Sequence, residues 1–381
     1  MRQEIVQTKE SDTERAAESL CSKLKKPLSS YSIVIFFASS RYDFKMLSEL
    51  LHEKFAKAEV IGSTTAGEIT QDGFTKDSIV LNAIETGGSR TQCKGCLIDD
   101  AGKFPVVHKQ ELLQAAKEAG VNLSSPGISK NSFAISLISA LHNAEENILS
   151  LVYTLVKDPD FMIAGASAGD DMKFKETFVS YNGRVSSDGA VLLFVRTQDP
   201  FCIYKENIFK ESGKSVLLTD VDPKNHLVKS IDNQNPRRRY AQVLGISERE
   251  AEDATLRHPF GRVFGDNIFI ASLARFLPDG TLAMYARVLQ GNTQSILDPL
   301  DSVEITEKSC LEMKDRIRNP GCVIFFNCIL RTIGFEKSGK TSSVAQVWKR
   351  HFPKFSGFST YGEQIGHINS NQTLVALIIG E

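Results

Sequence analysis

Several groups of residues in this chain have types and spacings that could do chemistry. Gly334-Phe335-Glu336-Lys337-Ser338-Gly339-Lys340-Thr341 matches Gly-x4-Gly-Lys-Thr letter for letter. In that pattern backbone amides and the lysine, here Lys340, cradle nucleotide phosphates. Gly165-Ala166-Ser167-Ala168-Gly169 has the form of a nucleophile elbow with Ser167 at its apex. Cys93-Lys94-Gly95-Cys96 is a Cys-x-x-Cys pair with possible metal or redox use. Gly62-Ser63-Thr64-Thr65-Ala66-Gly67-Glu68 and Gly357-Phe358-Ser359-Thr360-Tyr361-Gly362-Glu363 share a glycine–hydroxyl–glycine turn followed by an acid.

Context decides against the enzyme readings. Only about 40 residues follow Thr341, whereas a nucleotide-binding fold places most of its sheet and its Mg²⁺-holding acid after the loop. An elbow serine must be followed at once by a helix. Here Asp170-Asp171-Met172-Lys173-Phe174 runs on toward the turn Asn182-Gly183. Zinc or an iron–sulfur cluster needs about two more ligands than Cys93 and Cys96 supply, and two incidental thiols are the favoured reading. No catalytic residues are assigned. The glycine turns keep two readings. Their hydroxyls and free amides can converge on an anion or polar ligand, or the side chains can satisfy local backbone groups.

The elements that must position these residues repeat. Ile33–Phe37 reads as a buried strand, Leu47, Leu50, Leu51 and Phe55 as a helical stripe, Val60-Ile61 as entry to the first turn, and Ile79–Ile84 as a closing strand. Val323–Phe326, the stripe Val344, Val347, Trp348 and Phe352, the turn at 357–363 and Thr373–Ile379 repeat the order. A looser middle copy runs through Phe133–Ile138, a helix near Ile148–Val156, Gly165–Asp171 and Ala190–Val195. An acid follows the second glycine in all three. Residues 1–29 read as an amphipathic lead-in helix, and Ile268–Phe276 with Leu282–Val288 as a hairpin around Pro278-Asp279-Gly280. The expected fold class is α+β, with mixed β-sheets flanked by helices and built from strand–helix–strand–loop–strand units.

With 381 residues, 41% hydrophobic and 24% charged, the chain is long enough for two or three packed units. A net charge of −1 gives no general attraction to nucleic acid or anionic membrane. No apolar run reaches the roughly 18–20 residues that cross a bilayer, and the first residues lack a signal-peptide core. Seven scattered cysteines do not suggest a secreted disulfide framework. A cytoplasmic protein without nucleic-acid or membrane partners is expected.

The turns with their flanks, together with His258-Pro259-Phe260-Gly261, Cys328-Ile329-Leu330-Arg331 and Asn371-Gln372-Thr373, resemble the ordered motifs of the FIST sensory-domain family. The resemblance implies a FIST N-like domain over 30–215, a FIST C-like domain over 216–381 and a small-ligand sensor in signal transduction. It implies a ligand site at Ser63, Thr64, Gly67, Glu68, Cys328, Arg331, Ser359, Tyr361, Gly362 and Glu363. One branch of the family binds haem, senses nitric oxide and regulates a partner histidine kinase or cyclic-di-GMP enzyme. On that reading the cofactor is haem b and His258, beside Pro259 and Phe260, is the iron ligand, with His367 second. The alternatives are a module binding an amino acid or small polar metabolite, and a nucleotide-dependent enzyme using Gly334–Thr341. Phe260, where the family usually has Leu, and Asn327 before Cys328 depart from its pattern.

Overall fold

The computed structural model describes residues 1–265 and 267–381. Its core is one unit written three times: a lead strand, a helix, a first strand, a second helical stretch, a second strand, a short hairpin and a closing strand. In unit 1 these are Arg2–Thr8, Thr13–Lys23, Ile33–Ser39, Phe44–Lys54, Glu59–Thr65, the pair Glu68–Thr70 and Gly73–Thr75, and Ile79–Glu85. Unit 2 has Thr91–Ile98, Lys109–Glu118, Ser132–Ile138, Glu145–Leu155, Met162–Ser167, Val179–Tyr181 with Arg184–Ser186, and Ala190–Thr197. Unit 3 has Phe201–Asn207, Ser302–Arg316, Pro320–Cys328, two helices Ile329–Lys337 and Thr341–His351, Ser356–Thr360, Gly362–Ile365 with Ile368–Ser370, and Thr373–Gly380. Local chemistry starts several of the helices, since Asp12, Asp43 and Asp301 each accept a backbone N–H of the first turn.

Each unit makes a mixed sheet in the order lead, closing, first, second, with the first and second strands parallel. The hairpin leaves its own sheet. Unit 1's hairpin pairs with the second strand of unit 3, unit 2's with that of unit 1, and unit 3's with that of unit 2. Every six-stranded sheet is therefore completed by a neighbour, in a closed cycle.

The first strands are apolar throughout because both faces are covered. Ile33, Ile35 and Phe37 face a central core with Phe133, Ile135, Leu137, Ile324 and Phe326 from the other two sheets. Val34, Phe36 and Ala38 face outward against the two helices of unit 1. Phe37, Phe326 and Phe358 meet near the middle, Phe37 and Phe358 with ring centroids 4.7 Å apart. Burying each such ring stabilises the fold by about 1.5–3 kcal/mol.

Between the lead strand and lead helix of unit 3 the chain inserts a seven-stranded sheet, built on Phe209–Asp222 and Thr293–Pro299, with its own apolar core. The expected hairpin is present there as Leu273–Phe276 paired with Leu282–Met284. Two expectations are corrected. Residues 1–29 are not a lead-in helix alone, since Arg2–Thr8 is a sheet strand paired with Ile79–Glu85. The division at 215/216 falls inside the strand Phe209–Asp222, and unit 3 begins earlier, at Phe201.

Candidate functional site

The three glycine turns meet at one end of the central core and bind each other. The Ala66 N–H donates to the Ser359 carbonyl (3.0 Å), and the Ser359 N–H to the Gly67 carbonyl (2.7 Å). Gly169 and Asp171 donate to the carbonyls of Thr64 and Thr65, and Tyr361 to that of Ser167. The approach demands glycine at Gly169, where a Cβ would lie 2.6 Å from the Ala66 nitrogen.

The acids after the turns are internal caps. Glu68 is buried and accepts from Thr65 Oγ1 (2.5 Å), the Ser78 N–H (3.2 Å) and the Ser78 hydroxyl. Glu363 accepts from Thr360 Oγ1, the Thr373 N–H (3.2 Å) and Thr373 Oγ1 (2.9 Å), the same arrangement in unit 3. Burial pushes their carboxyl pKa values up to about 8 and about 7, and the hydroxyl donors only partly offset it.

The expected ligand residues are thus mostly packing groups. Ser63 is fully buried, Thr64 accepts the Phe178 N–H (2.9 Å), and the Ser359 hydroxyl bonds to Thr332 (2.9 Å). Gly67 and Gly362 serve the turn–turn contacts through their backbone. Cys328 is a buried thiol against Glu363, its pKa raised by loss of water. Arg331 is also buried, ion-paired with Glu206 and donating from Nε to Asn327 Oδ1 (2.9 Å). Tyr361 alone projects from a turn into a cleft.

That cleft, about 210 Å³, opens between unit 2, the third turn and the inserted sheet. Leu141, Asn143, Glu145 and Glu146 form one side, Met172 and Phe174 the rim, and His226, Met284 and Tyr285 the inserted wall. Tyr361, Asn369, Asn371, Ile329 and Leu330 close the base. Its backbone is strained. Leu141, Asn143, Met172, Phe174 and His226 all have φ between 51° and 72°, five of the twelve non-glycine residues with positive φ among those described. For bulky side chains that conformation costs on the order of 1–3 kcal/mol each and persists only where surroundings enforce it.

For the segment that holds Met172 and Phe174 the enforcing group is Asp170, the acid of the middle turn. It accepts the N–H groups of Phe174 (2.9 Å), Lys175 (2.6 Å) and Glu176 (3.1 Å) and the Tyr361 hydroxyl (2.5 Å). Phe174 stacks on Tyr361 at 5.0 Å and 16°. Glu145, first residue of its helix, accepts the Ser167 hydroxyl (2.8 Å), and loss of water lifts its carboxyl pKa above the ordinary value. Desolvation lowers the pKa of His226 and favours the neutral imidazole.

His258 lies outside this cleft. Its Nδ1 is held at 3.1 Å from Asp298 Oδ1 and 3.2 Å from the Leu297 carbonyl, and its own carbonyl accepts the Tyr240 hydroxyl (2.9 Å). A haem ligand needs an imidazole facing an apolar pocket with an open opposite side, and these contacts engage only Nδ1 of the His258 ring, as they would in a metal-ligating histidine. His367 is exposed, with its ring 5.6 Å from that of Tyr153. Cys93 and Cys96 share the strand Thr91–Ile98 but face opposite ways, Cys93 against the central core and Cys96 into the outer core of unit 2, so they cannot ligate one metal. Gly334–Lys337 is helical rather than a phosphate loop, and Lys340 pairs with Asp301 (2.8 Å). Ser167 ends a strand and leads into an irregular segment instead of a helix.

Residues 32–234 match the model of the FIST N domain and residues 237–366 that of the FIST C domain. The chain belongs to the FIST family. The boundary between the two FIST matches falls within the inserted sheet, just before the helix Pro236–Leu244. No curated protein matches the chain. Among solved structures it is similar to a cyanuric acid hydrolase at 10% identity and TM-score 0.35, covering 100% of this chain and 99% of that one. It is also similar to PurLQS from Thermotoga maritima at 11% identity and TM-score 0.20, covering 99% and 72%. FIST domains are small-ligand sensor modules, and no helix among the described residues is long and apolar enough to cross a membrane.

His226, Glu145 and Tyr285 are cleft residues that sequence reasoning missed. No motif marks them, and they meet only because the inserted sheet packs against unit 2.

Proposed function

We infer that this FIST protein is a sensor that binds a small polar metabolite in the cleft, without chemical turnover, and passes occupancy on as a shift of the inserted sheet against unit 2. The concentration of strained backbone in the cleft walls carries this reading, since such strain clusters at ligand clamps. The lining suits a ligand that donates hydrogen bonds and has an apolar face. Glu145, Asn369 and Asn371 offer acceptors, while Phe174, Tyr361 and Met172 offer packing surface. The volume lies below the roughly 300–1,000 Å³ of sites for drug-sized molecules, which favours a metabolite over haem. A ligand touching both walls biases their relative position by its differential affinity for the two arrangements.

The haem, nitric oxide and histidine kinase or cyclic-di-GMP partner assignments rest on the family resemblance. Thermal-shift screening with amino acids and other small polar metabolites tests the proposal. A ligand at 100 times its Kd adds about 2.7 kcal/mol, and that gain should vanish in Phe174→Ala and shrink in Glu145→Gln. No stabilising compound, or a gain unaffected by both substitutions, would remove the cleft from consideration. A Soret band in freshly purified protein would restore the haem reading.

A further inference from the structure

A second and larger cavity, about 760 Å³, lies on the other side of the helix Ile329–Lys337. Its interior is apolar, with Ile208, Phe209 and Phe335 buried and Leu256, Leu300 and Leu330 half-buried. Arg331, wholly buried, forms part of the wall, with its guanidinium 5.4 Å from the centre of the Phe335 ring.

The mouth is charged. Lys340 and Asp301 are paired there, and Arg331 is neutralised by Glu206 behind the wall. That leaves Arg257 and Lys337 opposite a single remaining carboxylate, Asp253. Both cations are exposed, and neither has a carboxylate within ion-pair distance among the described residues. This layout, a deep apolar chamber with unpaired cations at its rim, is the reverse of the Glu145–Glu146 cleft. The chamber falls within the ordinary size range of small-molecule sites.

We propose that this cavity is a second binding site, for an organic anion whose apolar chain or ring enters the chamber while its carboxylate or phosphate meets Arg257 and Lys337. Burial of the chain supplies most of the affinity, at roughly four-fold for each CH₂ removed from water. The two cations set the sign of the headgroup, through charge-assisted hydrogen bonds that in each case correspond to about ten-fold in affinity.

Isothermal titration of the full chain with octanoate, octyl phosphate and octylamine tests the assignment. The two anions should bind and octylamine should not. Arg257→Glu with Lys337→Glu should weaken octanoate by at least about ten-fold, and Leu300→Asp should weaken it independently from within the chamber. Because Arg257 and Lys337 are exposed, their replacement leaves the fold intact, which circular dichroism checks. Equal binding of octanoate and octylamine, or unchanged octanoate binding in the charge-reversed protein, overturns the proposal. So does failure of both anions to bind.

Discussion

Glu68 and Glu363 are the clearest residue-level signature of the duplication, and their burial has a measurable consequence. Their folded pKa values, about 8 and about 7, exceed the ordinary 4.5 of a glutamate. Between those limits the native state holds more protons than the unfolded chain, so their contribution to stability declines as pH rises from about 5 to 8. Glutamine keeps the shape and an acceptor for the Ser78 and Thr373 amides but cannot ionise. The stability difference between wild type and Glu68→Gln/Glu363→Gln, from urea titrations at several pH values, should therefore shift in the variant's favour toward pH 8. A difference independent of pH would mean that both acids are ionised in the fold. The acids themselves were legible as a recurrent position after a glycine. Their role was not, because each is held by a partner ten residues downstream, where the chain has gone round the hairpin and returned.

At the scale of elements, the segment 170–176 shapes the cleft rim, and one carboxylate holds its backbone amides in place. Asp170→Ala leaves three N–H groups and the Tyr361 hydroxyl without that acceptor. It should cost about 1–3 kcal/mol in stability and raise amide exchange in 172–176 well above that of the neighbouring strands. Unchanged protection there would assign the strained conformation to packing of Phe174 on Tyr361 instead. Strands with both faces covered were readable as apolar runs, and so were their helices. The lead strand Arg2–Thr8 was not, because it lies at a sheet edge and its residues Arg-Gln-Glu-Ile-Val-Gln-Thr alternate too weakly to mark a buried face. The cleft was hidden for another reason, since its walls come from units 2 and 3 and the inserted sheet, and no local pattern records which loops will meet.

For the whole molecule, the central core joins all three sheets, so damage to it should be felt everywhere. Phe326→Ala removes a ring that touches Phe37 of unit 1 and Phe358 of unit 3. It should cost about 3–5 kcal/mol and move the unfolding midpoint equally for fluorescence and far-ultraviolet dichroism. Separate transitions for the two probes would show that the units unfold independently. The threefold repeat was visible in the order of strands and turns, yet the exchange of hairpins was not. A three-residue strand such as Glu68–Thr70 carries no record of its partner, which sits almost at the opposite end of the chain. That exchange also bears on ancestry. A single unit would leave the outer edge of its second strand bare and its own hairpin unpaired, an invitation to aggregate. Three identical copies related by rotation would cover each bare second strand with a neighbour's hairpin. The architecture is thus what a fused homotrimer would look like, with the extra sheet carried by one copy alone and lining both cavities.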